Sequence, residues 1–158
     1  LFHPLGFMSN DPWGLQIARM VVHGNYNVSH PKPGRDEGLH SKYWNDRYRL
    51  EAVSQLEEML EDKMTPATFK KVKQPSLSLY YYKNEAEQDS VVRVSAILEM
   101  NQQLGTPDSL KEAIPIPEAG DHVMGSYISS KDLVSVQREI EKFAREKLHL
   151  KKSVIGNR

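Results

Sequence analysis

The side chains here that could do chemistry are carboxylates and histidines. The chain has no cysteine, which removes disulfide frameworks and thiolate metal sites and leaves the redox compartment open. Two of the titratable residues stand out by position. Asp89 ends the polar loop Lys83-Asn84-Glu85-Ala86-Glu87-Gln88-Asp89, and His122 ends the loop Pro117-Glu118-Ala119-Gly120-Asp121-His122. Each loop follows a segment that reads as a strand, and in open α/β sheets functional groups collect on loops leaving the carboxyl ends of strands. An imidazole beside a carboxylate is suited to holding and moving a proton near neutral pH.

The remaining candidates have plainer readings. His3, His23, His30 and His40 sit among prolines, glycines and polar residues without the paired spacing of a zinc site, and are expected as loop histidines rather than ligands. No metal is expected. Asp121 reads as a loop-shaping or solvent-facing carboxylate. Tyr80, Tyr81 and Tyr82 alternate faces along a strand, which favours core packing. The clusters Lys70-Lys71-Val72-Lys73 and Lys147 with Lys151-Lys152 are expected to be solvated.

The elements that must position Asp89 and His122 lie in the second half of the chain. Ser76-Leu77-Ser78-Leu79-Tyr80-Tyr81-Tyr82 is rich in strand formers and follows Pro75, as the start of a strand allows. Val94 to Leu104 predicts a helix with Ile97, Met100 and Leu104 inward, Ser95 near its start and Gly105 just past its end. Ala113-Ile114-Pro115-Ile116 predicts a second strand, which Pro115 assigns to a sheet edge. Ser129-Ser130-Lys131-Asp132 forms an S-x-x-D capping box that opens a last helix, with Leu133, Val136, Ile140, Phe143, Ala144 and Leu148 inward. Strand, loop, helix, strand, loop, helix is the pattern of a parallel α/β sheet. Two strands alone would leave an edge unpaired and apolar surface wet, so further strands are expected from sequence outside this one or from another chain.

The first half is different in kind. Between Leu1 and Gly38 prolines and glycines interrupt any long element, leaving Pro12 to His23 as a helix capped by Asp11. From His40 to Met64 the spacing of Trp44, Tyr48, Ala52, Leu56 and Leu60 predicts one long amphipathic helix. Thr65-Pro66 then starts a short one, with Phe69 and Val72 on one side. The expected organisation is a helical segment over 1–72, an α/β unit over 73–150 and a tail over 151–158. The chain opens at Leu1 rather than at methionine, and its natural N-terminus is expected to lie further upstream.

Composition narrows the partners. Among 158 residues, 21 lysines and arginines balance 21 aspartates and glutamates, so no net field draws the chain to nucleic acid or an anionic membrane. No apolar run has the length of a membrane span. The localisation is not legible.

Strand, short polar loop, Asp89 followed by Ser90-Val91-Val92, helix, strand, Gly120-Asp121-His122 at the mouth of a loop and a final amphipathic helix resembles the C-terminal part of the α/β-hydrolase family, over roughly residues 73 to 150. The order acid then histidine agrees with the family order Ser, Asp/Glu, His. The segment before it resembles the cap that many members insert, beneath which Trp13, Tyr43 and Trp44 could line a substrate pocket. The resemblance implies that His122 takes the nucleophile's proton and later gives it to the leaving group, while Asp89 holds the imidazole's tautomer. Glu85 and Glu87 are substitutes for the acid.

One departure matters. No G-x-S-x-G elbow is present, and Gly34-Arg35-Asp36-Glu37-Gly38, which matches the G-x-D-x-G of relatives with an aspartate nucleophile, follows His30-Pro31-Lys32-Pro33 rather than a strand and reads as a solvated turn. The nucleophile is therefore expected elsewhere, in the N-terminal part of the same fold or on another chain. The expectation is part of a serine-type hydrolase acting on a small-molecule ester, thioester or amide, without a cofactor. The alternatives are a non-catalytic module completing another chain, and a relative of the dehalogenases and epoxide hydrolases.

Overall fold

The computed structural model describes residues 25–27, 37–43 and 47–151. Its centre is a parallel pair of strands, β3 (Ser76–Tyr80) and β4 (Lys111–Pro115), in register from Ser76 opposite Lys111 to Tyr80 opposite Pro115. Pro115, which has no N–H to give a ladder, ends its strand and is exposed. The pairing runs one residue further, as Ile116 N–H donates to Tyr80 O at 2.8 Å.

Helices lie on both faces of this pair. Between the strands runs α4 (Val94–Gln103), followed by a 3-10 turn at Asp108–Leu110; after β4 comes α5 (Leu133–Glu146). Alternation along the strands sorts the two faces. Ser78 faces α4, where Asn101 Nδ2 donates to Ser78 Oγ at 3.4 Å and to Glu112 O at 3.2 Å. Leu79 and Ile114 face the other way, against a core of Ile116, Ala119 and Val136 that Tyr81 and Met124 close over. Ile116 is 1 % exposed, and burying such a side chain is worth about 1.5–3 kcal/mol. The architecture is thus mixed helix and short parallel sheet, part of an α/β arrangement.

Several expectations shift at the level of detail. The periodicity of α4 puts Ile97, Met100 and Leu104 inward, yet these are half-buried while Val94, Ala96 and Asn101 are buried. The helix is turned so that the Asn101 amide meets two acceptors on the sheet, a contact that hydrophobic spacing does not register. The last helix starts at Leu133, later than the capping box suggests; Asp132 is its N-cap, accepting from Ser135 N–H at 3.0 Å. Hydrogen bonding from the Ser135 side chain, joined by that backbone bond, holds the Asp132 carboxyl below its ordinary range. Lys147, expected in solvent, pairs with Glu112 of β4 at 3.1 Å and is one-quarter exposed.

The helical segment before residue 73 is helical in part. Its described portion holds α1 (Glu37–Tyr43), α2 (Leu50–Lys63) and α3 (Pro66–Phe69), together with a short antiparallel ribbon of β1 (Asn25–Asn27) and β2 (Arg47–Arg49). The single helix expected from His40 to Met64 is therefore split. Asn45 and Asp46 are poor helix formers, and Arg47-Tyr48-Arg49 pairs with β1 instead. Thr65 caps α3 as expected, its Oγ1 accepting from Thr68 N–H at 3.3 Å, with Phe69 buried. The helix expected over Pro12 to His23, together with His3, His23, His30, Trp13, Trp44 and Gly34 to Asp36, lies outside the described residues.

Two features mark the sheet as open. Among the described residues β3 has β4 as its single ladder partner, and Ser76 to Leu79 stay half-buried. On α5, Ile140 lies on the same arc as Leu133 and Val136 but is 50 % exposed.

Candidate active site

Asp89 is reached by a loop that turns back on itself. Tyr82 forms a bridge with Gln88, and Asp89 N–H donates to Tyr81 O at 2.9 Å, which seats the aspartate beside the end of β3. Its carboxylate is buried, with the side chain 2 % exposed. The two oxygens do different work. Oδ1 accepts from Val91 N–H and Val92 N–H, both at 2.8 Å, fixing the turn into α4. Oδ2 lies 2.6 Å from Nδ1 of His122.

Burial pushes the Asp89 carboxyl up, while the hydrogen bond from His122 and those from Val92 and Val91 pull it down; the bonds prevail and the group lies below the ordinary carboxylate range. An ionised carboxylate only accepts hydrogen bonds, so Nδ1 of His122 is the donor. In the neutral imidazole Nε2 is then left with its lone pair, the state a general base needs.

His122 is placed by a loop of opposite character. Ala119 is 0 % exposed and Asp121 is buried, with Asp121 Oδ1 accepting from Val123 N–H at 2.9 Å, the loop-shaping role expected of it. Gly120 has φ +69°, and a Cβ built there would come 3.1 Å from Cδ of Lys131. Lys131 N–H donates to Ala119 O at 2.9 Å, closing the far end of the loop. The imidazole is 38 % exposed, so it is held from within and open to solvent. Across the two loops, Lys83 Nζ lies 3.3 Å from both carboxylate oxygens of Glu118, at the surface.

The structure thus brings Asp89 and His122 together and leaves the substitutes apart from them. Glu85 accepts from the Tyr82 hydroxyl at 2.9 Å, and Glu87 from Asn84 Nδ2 at 3.0 Å. An open groove of about 650 Å³ runs past Tyr80, Tyr82, Gln88, Asp89, Val91 and Leu98. Asp89 lines it and His122 does not. Among the described residues no group of three or more His, Asp or Glu side chains is arranged to hold a metal, and no helix is long and apolar enough to cross a membrane.

The residues that sequence reasoning passes over are those that hold the pair in place. Asn84, whose side chain closes the acid loop, carries a signal in the preference of asparagine for turns where it bonds backbone two residues on. The N–H groups of Val91 and Val92 carry none, since any residue but proline supplies one. Comparison of the chain with known protein families, characterised proteins and solved structures gave no match.

Proposed function

We propose that this chain supplies the acid, Asp89, and the base, His122, of a Ser-His-Asp triad, as part of a hydrolase that acts on an ester, thioester or amide. The observation that carries the reading is the 2.6 Å bond between Asp89 Oδ2 and His122 Nδ1, made by residues that follow the carboxyl ends of two neighbouring parallel strands. In this reading Nε2 of His122 removes the proton of a serine hydroxyl as its oxygen attacks the substrate carbonyl, then returns it to the leaving group. Asp89 keeps the imidazole in the productive tautomer and stabilises the imidazolium. The serine and the oxyanion donors come from further strands of an α/β-hydrolase sheet, for which the half-buried β3 and the exposed Ile140 offer an edge and an apolar shelf.

The same open edge favours a second reading, a module that completes another chain without chemistry of its own. A fluorophosphonate probe separates the two. Applied to the assembled enzyme, wild type should label at serine and His122→Ala should lose the labelling; equal labelling of both would remove His122 from the mechanism, and no labelling of wild type would favour the docking module.

A further inference from the structure

The loop that carries Asp89 stands in solvent, with Lys83 to Glu87 all exposed. It nevertheless delivers a carboxylate to within hydrogen-bonding distance of an imidazole on another loop, a placement that tolerates little error. An exposed loop has little packing to hold it; apart from the Lys83–Glu118 pair at the surface, its shape rests on hydrogen bonds within itself.

Glu85 takes some of them, its carboxylate accepting from the Tyr82 hydroxyl at 2.9 Å and its carbonyl from Gln88 Nε2 at 2.8 Å, while Asn84 holds the turn between. Asn84 Oδ1 accepts from Ala86 N–H at 3.0 Å and from Glu87 N–H at 2.9 Å, while Nδ2 donates to Glu87 Oε2 at 3.0 Å. The main chain follows the same closure, with Lys83 N–H donating to Glu87 O at 2.9 Å and Glu87 N–H to Asn84 O at 3.1 Å. From there the Tyr82 bridge to Gln88 and the bond from Asp89 N–H to Tyr81 O bring the chain back to the end of β3. The anchor on the other side of Asp89, from Oδ1 to Val91 and Val92, orients the carboxylate on its own backbone.

We infer that Asn84 is a positioning residue for the acid: it closes the loop that sets Asp89 against His122, and so governs how long the Asp89–His122 bond persists. The inference rests on Asp89 and His122 acting as acid and base, and it adds a residue that touches neither of them. Asn84 does not serve the core, since its side-chain bonds stay within the exposed loop.

The test uses the full 158-residue chain and reads the exchange of the His122 Nδ1 proton beside the Tm, which separates loosening at the pair from lost global stability. Wild type should show a downfield, slowly exchanging Nδ1–H. Asn84→Ala should speed its exchange by about tenfold or more while the Tm stays close to wild type. The double variant Asn84→Asp/Glu87→Gln keeps the acceptor for Ala86 and Glu87 N–H and reverses the side-chain bond, and should restore slow exchange. Lys83→Ala, which breaks only an exposed ion pair, should leave the proton as in wild type. Wild-type exchange in Asn84→Ala, or fast exchange in the double variant, would overturn the inference. A wild-type chain with no such signal would overturn the acid and base reading beneath it.

Discussion

The two loops that meet at the candidate site are held by opposite means. The acid loop is exposed from Lys83 to Glu87 and closes through hydrogen bonds within itself. The base loop is built on buried residues, with Ala119 at 0 % and Ile116 at 1 % exposed, and on a left-handed glycine. One can be loosened by deleting a polar side chain at the surface, the other by disturbing the core beneath it or the glycine that turns it. A bond between two such loops is as firm as the weaker of them, which locates its sensitivity in the acid loop.

The largest effect should come from the bond itself. Asp89→Asn keeps the shape of the side chain but turns an acceptor into an amide; in the proposed hydrolase, kcat should fall by about 10³–10⁴-fold with little change in KM. A loss below tenfold would show that the imidazole does not depend on this carboxylate. Next, Ile116→Ala should cost about 2–5 kcal/mol in denaturant unfolding, because it empties the space under the base loop. The acid loop, closed locally, should keep its amide protection in conditions where this variant is still folded; equal loss in both loops would erase the contrast.

Gly120→Ala should cost about 1–2 kcal/mol, since at φ +69° an added Cβ is strained and Lys131 must shift to admit it. An unchanged Tm would mean that the turn relaxes at no cost. Acid unfolding sharpens the other loop. The folded Asp89 carboxyl lies below its unfolded value, so its contribution is complete above the unfolded pKa and is lost as pH falls through the lower folded one. Stability of wild type should therefore decline more steeply than that of Asp89→Asn below about pH 4. The difference should be modest because burial opposes the bonds; parallel acid profiles would contradict it.

How much of this was legible depends on the kind of signal. The strand at Ser76, the helix at Val94, the strand reaching Pro115 and the last helix follow from β-formers, helical spacing and breakers, and they locate Asp89 and His122 at the ends of successive loops. Asp89 does two things at once, Oδ1 shaping the turn while Oδ2 meets the imidazole. Less legible was what tertiary partners decide. Asn101 is buried because two acceptors on the sheet face it, and the stretch from His40 to Met64 is broken because Arg47 to Arg49 has a strand to pair with. Even where α2 forms as expected, its apolar stripe is covered only in part, with Leu60 half-buried and Leu56 43 % exposed. Periodicity announces a face, not the partner that will cover it.

What matters most at this site is whether Asp89 holds His122 with its proton on Nδ1. A two-bond proton–nitrogen correlation spectrum of the imidazole measures this directly, in the 158-residue chain without substrate or nucleophile. At a pH where the ring is neutral, wild type should carry its proton on Nδ1 and none on Nε2, with that preference lost in Asp89→Ala. A wild-type ring protonated at Nε2, or a tautomer indifferent to the loss of Asp89, would contradict it.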